Sequence, residues 1–215
     1  MSGLILHGYW RSTAAYRVRI ALSLKGLAYE HAPHDLRRGA HRDDAFLSVS
    51  PQGLVPALET PDGTLTQSLA ILEWLEERFP EPALLPASPA NRAVVRAMAE
   101  AIACDIHPLN NLRVLNVLRT EFEASQTQID AWIARWIGEG FAALETLISR
   151  HGGAYAFGDS PGMIDCCLVP QAYSARRFSV DLSAFPLIQA VEGRARALAA
   201  FAAAHPDLQP DADPG

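Results

Sequence analysis

Apolar and polar positions change their period several times along the chain. Leu4 to Gly8 is a short apolar run, the pattern of a buried strand. From about Ala14 to Lys25 the period becomes helical, with Val18, Ala21 and Leu22 on one face and Arg17 and Arg19 outside that stripe. Gly26 follows where a left-handed C-terminal cap is wanted. Leu27 to Leu36 reads as a second, more polar strand, and His41 to Ser48 as a short irregular helix. Val55 to Thr60 is a third strand, Pro61-Asp62-Gly63 a turn, and Thr64 to Thr66 a fourth strand closing a hairpin. Leu72, Leu75 and Phe79 stripe a helix from about Ser68 to Phe79, which Pro80 stops. The order is βαβ, a helix, then ββα.

Between Pro80 and Pro89 four prolines fall within ten residues, a composition suited to a surface connection. Beyond it no strand pattern returns. Asn91 to Thr120 and Gln126 to Arg150 are long helical patterns, and Gly162 to Arg176 and Phe185 to Ala204 are further ones, with breaks near Asp181 and Gly193. The expected organisation is a domain over 1–82, a linker over 83–89 and an all-helical domain over 90–215. The Pro- and Asp-rich stretch from Asp207 to Gly215 is expected to be a loosely held tail. No internal repeat or low-complexity tract is visible.

Composition narrows the function. With 215 residues, 49% of them hydrophobic, each half has material for its own core. A net charge of −6 provides no basic excess for neutralising phosphates, which argues against a nucleic-acid partner. No apolar run approaches the roughly 20 residues of a membrane helix, and the start lacks the basic flank of a signal peptide. Cys104, Cys166 and Cys167 make no disulfide framework and read as buried reduced thiols of a cytoplasmic protein. Neither they nor the seven scattered histidines have metal-ligand spacing, so no metal is expected.

Three short segments carry candidate chemistry. Arg11-Ser12-Thr13-Ala14 puts hydroxyls at a helix N-terminus, where they either cap the helix or help its free N–H groups hold an anion. Val55-Pro56 either terminates a strand edge or, if the bond is cis, turns the Val55 backbone groups toward a neighbouring peptide. Gln67-Ser68 either caps the next helix or holds a carboxylate there. All three lie at the ends of elements that a βαβ–ββα domain should bring together.

The run Arg11-Ser12-Thr13-Ala14-Ala15-Tyr16-Arg17-Val18-Arg19-Ile20-Ala21-Leu22 resembles the active-site signature of zeta-class glutathione transferases. The likeness continues in order through Ser50 to Leu58, Gln67 to Leu75, Asp105 to Asn111, Phe157-Gly158-Asp159, Leu168 to Gln171 and Ala175 to Phe178. It spans nearly the whole chain, and within the class it is most similar to the bacterial maleylpyruvate and maleylacetoacetate isomerases. The resemblance implies an α/β thioredoxin-like N-terminal domain, an all-α C-terminal domain, glutathione as cofactor and a homodimer. It implies that Gln67 and Ser68 receive the γ-glutamyl end of glutathione. Val55, beside a cis Pro56, would pair with the cysteinyl backbone, with Gln52 nearby. Ser12, with Thr13, would face the thiol. His107 and Asn111 are implied as further glutathione contacts, with Arg113 a weaker candidate. Arg11 and Arg177 are implied as substrate-facing residues, with Arg176 the lesser of the two neighbouring arginines; a surface role or a structural ion pair is the alternative for both.

The implied reaction is reversible addition of a thiolate to the cis double bond of a small maleyl dicarboxylate. A free thiol titrates near about 8.5, and a hydroxyl donor and a helix N-terminus both favour its anion. An arginine fork suits the carboxylates. Two positions depart from the family pattern. Ala14 stands where the signature commonly has cysteine, leaving the thiol to Ser12, Thr13 and the backbone. Gly162 stands three positions before Asp165 where Ser or Thr is usual, and Asp165 is expected to anchor that helix start all the same. Two other functions use the same residues: conjugation or dehalogenation of α-halo acids, and non-catalytic binding on an inherited glutathione fold.

Overall fold

The Leu4–Gly8 run, fully buried at Leu6, becomes the inner strand of a four-stranded sheet in the computed structural model, which describes residues 3–213. β1 (Ile5–Gly8) pairs in parallel with β2 (Glu30–Pro33) and antiparallel with β3 (Ala57–Thr60), and β3 pairs antiparallel with β4 (Gly63–Thr66). A parallel neighbour requires a crossover, and α1 (Thr13–Leu24) supplies it. α1 ends in a Schellman arrangement: Leu27 N–H donates to Leu22 O at 2.9 Å and Gly26 N–H to Ser23 O at 3.1 Å, with Gly26 at φ +64°. The second strand is shorter than its pattern because Asp35 starts a tight turn by accepting from Arg37 N. The third begins only at Ala57, since Pro56 has no N–H for the ladder.

α2 (Asp44–Val49) follows the β2 connection, and α3 (Ser68–Arg78) follows β4. α1 packs against α3 on one side and against α9 (Ala199–Ala203) on another. That double cover buries Arg17 and Arg19, which lie outside the apolar stripe yet are only 2% and 1% exposed. Lys25 Nζ is also buried, donating to Glu76 Oε2 at 3.1 Å, Phe79 O at 2.6 Å and Pro82 O at 2.9 Å. Glu76 Oε2 in turn accepts from Leu84 N at 2.7 Å.

The chain forms two compact units, Met1–Leu84 with Ala197–Gly215, and Leu85–Arg196. The first boundary falls close to the proline-rich stretch, but the expected second domain loses its last part to the first unit. The tail expected to be loose is held through Asp213: Asp211 accepts from Trp10 N at 2.9 Å and Asp213 from Arg37 Nη2 at 2.8 Å. Residues 214 and 215 lie outside the described residues.

The second unit is helical. It comprises α4 (Pro89–Glu100), α5 (Leu112–Thr120), α6 (Gln126–His151), α7 (Met163–Arg177) and α8 (Pro186–Arg196). The single helix expected over 91–120 is interrupted by a π-helical stretch, Ala101–Ile106, and a 3₁₀ turn, Pro108–Asn110. Gly140 in α6 lets the π stretch approach, for a Cβ there would lie within 2.4 Å of two Ile106 side-chain carbons. Gly193, expected as a break, lies inside α8; the interruption comes at residues 197–198. Cys166 and Cys167 are buried as expected but Cys104 is exposed, and none of the three is in a disulfide. Among the described residues no helix is long and apolar enough to cross a membrane.

Candidate active site

Strand register brings the three candidate segments of the first unit to one end of the sheet. His7 pairs with Ala57, and Ala57 with Thr66, so these residues form one line across three strands. The turn to Ser12 leaves β1 just beyond this line, Val55-Pro56 enters β3 just before it, and Gln67-Ser68 leaves β4 just after it. The N-termini of α1 and α3 therefore open at the same end. Each presents backbone N–H groups without intrahelical partners and the positive end of a helix dipole, which together suit an anion.

Ser12 is the N-cap of α1: its Oγ accepts from Ala15 N at 3.2 Å, and its own N–H donates to Tyr9 O at 2.9 Å. The capping role left open from the residues is thus real, and it occupies a lone pair and not the hydroxyl proton. Thr13 is buried in the first turn, and Ala14 and Arg11 are half-buried. The Arg11 guanidinium lies 5.2 Å from the centre of the Trp10 ring.

The approach to β3 is built around a position that requires glycine. Gly53 has φ +59°, and a Cβ there would meet His41 O at 2.9 Å. Ser50, fully buried, closes the loop by donating from Oγ to Leu54 O at 2.9 Å, and the Val55–Pro56 peptide is cis. On the neighbouring segment Gln67 adopts φ 67°, ψ 117°, a conformation rarely held by a residue with a side chain. Its Nε2 donates to Gln52 Oε1 at 2.7 Å. Ser68 Oγ accepts from Arg17 Nη1 at 3.1 Å. Gln52 and Gln67 thus meet directly, and Arg17, which sequence reasoning left unassigned, places a buried cation beneath the α3 N-terminus. Its signal was an arginine embedded among the apolar residues of Tyr16-Arg17-Val18-Arg19-Ile20. Although the chain is negative overall, this end of the first unit gathers the Arg17 cation and the positive ends of two helix dipoles.

The second unit places its candidates on two features. His107 caps the π stretch with an N–H donated to Ile102 O at 2.9 Å, five residues back, and Pro108 then starts the 3₁₀ turn. Such local rewinding inside a helix is frequent at functional sites. Asn111 follows as the N-cap of α5, its Oδ1 accepting from Arg113 N at 3.1 Å. His107 and Asn111 are half-buried and Arg113 is exposed. Trp132 Nε1 donates to Leu109 O at 2.9 Å and fixes this turn against α6.

The end of α7 divides the adjacent arginines. Arg176 forks onto Glu192 with two contacts of 2.5 Å, and Glu192 is also 3.6 Å from Arg196. Since the Glu192 side chain is only 3% exposed, Arg176 is taken up by the fold, the structural alternative weighed for it against substrate contact. Arg177 instead lies over the Phe178 ring at 4.3 Å and lines a cleft of about 570 Å³ with Gln126, Asp130 and Ser179. At the other end of α7, Asp165 accepts from Ala156 N at 3.0 Å and Gly162 N at 2.9 Å. Gly162 has no side chain to return, so only half of a capping box is made, but Asp165 anchors the helix start as expected. Burial pushes its carboxyl up to about 6, against the opposing pull of the backbone donors.

Residues 6–83 match the family described as glutathione S-transferase, N-terminal domain. The chain is 51% identical to maleylacetoacetate isomerase of Pseudomonas aeruginosa over 209 residues, covering 96% of this chain and 97% of that one. A solved holo structure of a maleylpyruvate isomerase, a bacterial zeta-class glutathione S-transferase, superposes with a TM-score of 0.95 at 50% identity, covering 97% of this chain and 100% of that one. The maleylacetoacetate isomerase of Anaeromyxobacter dehalogenans with bound glutathione superposes with a TM-score of 0.89 at 47% identity, covering 98% of each chain. The paired helix N-termini, the Ser12 turn and the helical second unit are therefore those of a member of the zeta class of the glutathione transferase family.

Proposed function

We propose that the protein is a glutathione-dependent isomerase that converts the cis double bond of a maleyl dicarboxylate, such as maleylpyruvate or maleylacetoacetate, to trans. The observation that carries this reading within the chain is the His7–Ala57–Thr66 line, which gathers Ser12, Val55 and Gln67-Ser68 at one sheet end beside two helix N-termini. Full-length relatives at about half identity named for this reaction support it.

The donor set fits glutathione. The α3 N-terminus, Gln67 and Ser68 suit the γ-glutamyl carboxylate, with Arg17 supporting Ser68 from below. Val55, with Gln52 nearby, suits the peptide portion, and Ser12 with Thr13 at the α1 N-terminus suits the sulfur. Bound glutathione supplies a thiolate that adds to the activated double bond, allows rotation about the resulting single bond, and leaves unchanged. The Ser12 hydroxyl donates its proton toward the sulfur while its oxygen stays engaged with Ala15 N, so the cap fixes the donor's direction. The helix N-terminus adds positive potential at the same place, and both favour the thiolate. Arg11 and Arg177 are assigned to the substrate carboxylates and to the negative charge that develops on the conjugated carbonyl. His107, Asn111 and, more weakly, Arg113 are assigned as further glutathione contacts. We assign Arg176 to Glu192.

The test is an assay with maleylpyruvate and maleylacetoacetate that follows both substrate absorbance and free thiol. Isomerisation at constant thiol supports the reading. Loss of thiol in step with product would make the protein a conjugating transferase, and no turnover of either acid would overturn the proposal. Failure to bind glutathione would leave only the inherited scaffold. We further propose a homodimer in the cytoplasm: the family resemblance supports the first, and three cysteines outside any disulfide the second. Light scattering in solution and cell fractionation read these directly.

A further inference from the structure

The turn that presents Ser12 is gripped from outside by the end of the chain. The Tyr9–Trp10 peptide, just before Ser12, is held at both poles: Asp211 Oδ2 accepts its N–H, that of Trp10, at 2.9 Å, and Arg19 Nη1 reaches its carbonyl, Tyr9 O, at 3.5 Å. The charges match the peptide dipole, the carboxylate facing N–H and the guanidinium facing C=O. That carbonyl also accepts Ser12 N at 2.9 Å, while Arg19 Nη2 donates to Trp10 O, in the next peptide, at 2.9 Å and Nε to Ala204 O at 3.1 Å. Arg19 is thus a buried bridge from the Ser12 turn to the last segment of the chain. That segment is stiffened by Gln209, whose Nε2 donates to His205 O at 2.8 Å and Ala203 O at 3.2 Å. It leans on α1 through the His205 ring, edge-on to Tyr16 at 6.2 Å. Asp211 Oδ1 lies 3.7 Å from His31 Nδ1 beside β1.

We infer that Asp211 is a positioning residue for the isomerisation: with Arg19 it fixes the plane of the Tyr9–Trp10 peptide, whose carbonyl accepts Ser12 N–H, and through it the direction in which Ser12 presents its hydroxyl to the bound sulfur. The inference deepens the proposed function and rests on Ser12 being the sulfur's partner. In the proposed function the γ-glutamyl and peptide portions of glutathione are assigned to other segments, Gln67-Ser68 and Val55. Release of the Tyr9–Trp10 peptide therefore lowers the fraction of bound thiol that is ionised, and with it kcat, while the KM for glutathione stays near its wild-type value.

Three variants test this: Asp211→Ala, Asp211→Asn and, as a control, Asp213→Asn, which takes the charge from the exposed contact to Arg37. The readouts are hydrogen exchange at the Trp10 amide without ligand, ultraviolet absorbance of the glutathione thiolate at saturation and neutral pH, and kcat with KM. Asp211→Ala is expected to speed Trp10 exchange and to lower the thiolate fraction and kcat, each about tenfold, as for loss of a hydrogen bond to a charged group. Asp211→Asn, which keeps an acceptor without the charge, should be intermediate, and Asp213→Asn should match the wild type. A folded Asp211→Ala protein with wild-type thiolate fraction and kcat overturns the inference. If that variant does not fold, Asp211→Asn indistinguishable from Asp213→Asn overturns it instead. A wild-type protein that neither ionises bound glutathione nor isomerises would refute the proposed function, and Trp10 exchange would still decide whether Asp211 holds the turn.

Discussion

Ser12 Oγ accepts the backbone N–H of Ala15 at 3.2 Å and keeps its own proton for another acceptor. The cap and the proposed sulfur contact are therefore two uses of one hydroxyl, and substitution can separate them. Ser12→Ala loses both: about 1 kcal/mol of stability from the cap and about 100-fold in kcat from the donor. Ser12→Asp keeps the cap but sets a negative charge against the thiolate, so its stability should stay close to wild type while isomerisation is lost. Calorimetry and isomerase kinetics on the two variants check this, and an active Ser12→Asp enzyme would contradict the role given to the hydroxyl.

Gln67 holds a left-handed backbone that costs on the order of 1–3 kcal/mol in a residue with a side chain. Gln67→Gly should raise the stability by about 1 kcal/mol while weakening glutathione binding, because the contact to Gln52 disappears with the side chain. Gln67→Ala should weaken binding without the gain, since the strain persists. Denaturant unfolding and glutathione titration separate the two effects. A glycine variant that is less stable than the alanine variant would show that the strain is not stored there.

The neighbouring arginines should fail differently. Arg177→Ala is expected to reduce kcat/KM for the dicarboxylate about 10- to 100-fold, as for loss of a charged hydrogen-bonding partner, with little change in unfolding. Arg176→Ala strips a buried carboxylate of its bidentate partner and should cost about 1–2 kcal/mol of stability, discounted because the Arg176 side chain is itself 43% exposed. Parallel kinetics and thermal melts decide, and a reversal of the two phenotypes would move the substrate assignment to Arg176.

Asp165 should give the stability a pH dependence of definite sign. Its carboxyl titrates near about 6 when folded, above the ordinary carboxyl range, so the folded chain binds that proton more tightly than the unfolded chain does. The resulting stabilisation is full below the ordinary range and is lost as pH rises through about 6. Urea unfolding between about pH 4 and about pH 7 should show wild-type stability falling relative to Asp165→Asn as pH rises. A difference between the two proteins that stays flat over this window would remove Asp165 as the source.

Much of the fold was legible because its signals are local. The αL cap at Gly26, the stop at Pro80 and the hairpin turn at Pro61-Asp62-Gly63 each act over a few residues. The π stretch before His107 was not legible. A helical period continues through it, and the close approach of Gly140 to Ile106 that accompanies it joins residues far apart in sequence. Nor could a stripe of apolar positions on α1 tell whether its other sides face water, so the burial of Arg17 and Arg19 outside that stripe was left to the packing.

The sequence by itself determined the order of elements, the hydroxyl at the first helix start, the Val55-Pro56 and Gln67-Ser68 segments, and the family to which their combination points. Those depend on short-range period, capping and turn chemistry, which a chain carries locally. Tertiary structure decided which charges are spent on the fold: Arg176 on Glu192, Arg17 on Ser68, and Asp211 on the Trp10 N–H 201 positions away. Contacts of such separation have no period to betray them. They exist because burial leaves a polar group in need of a partner, and only the packed chain determines which one is within reach.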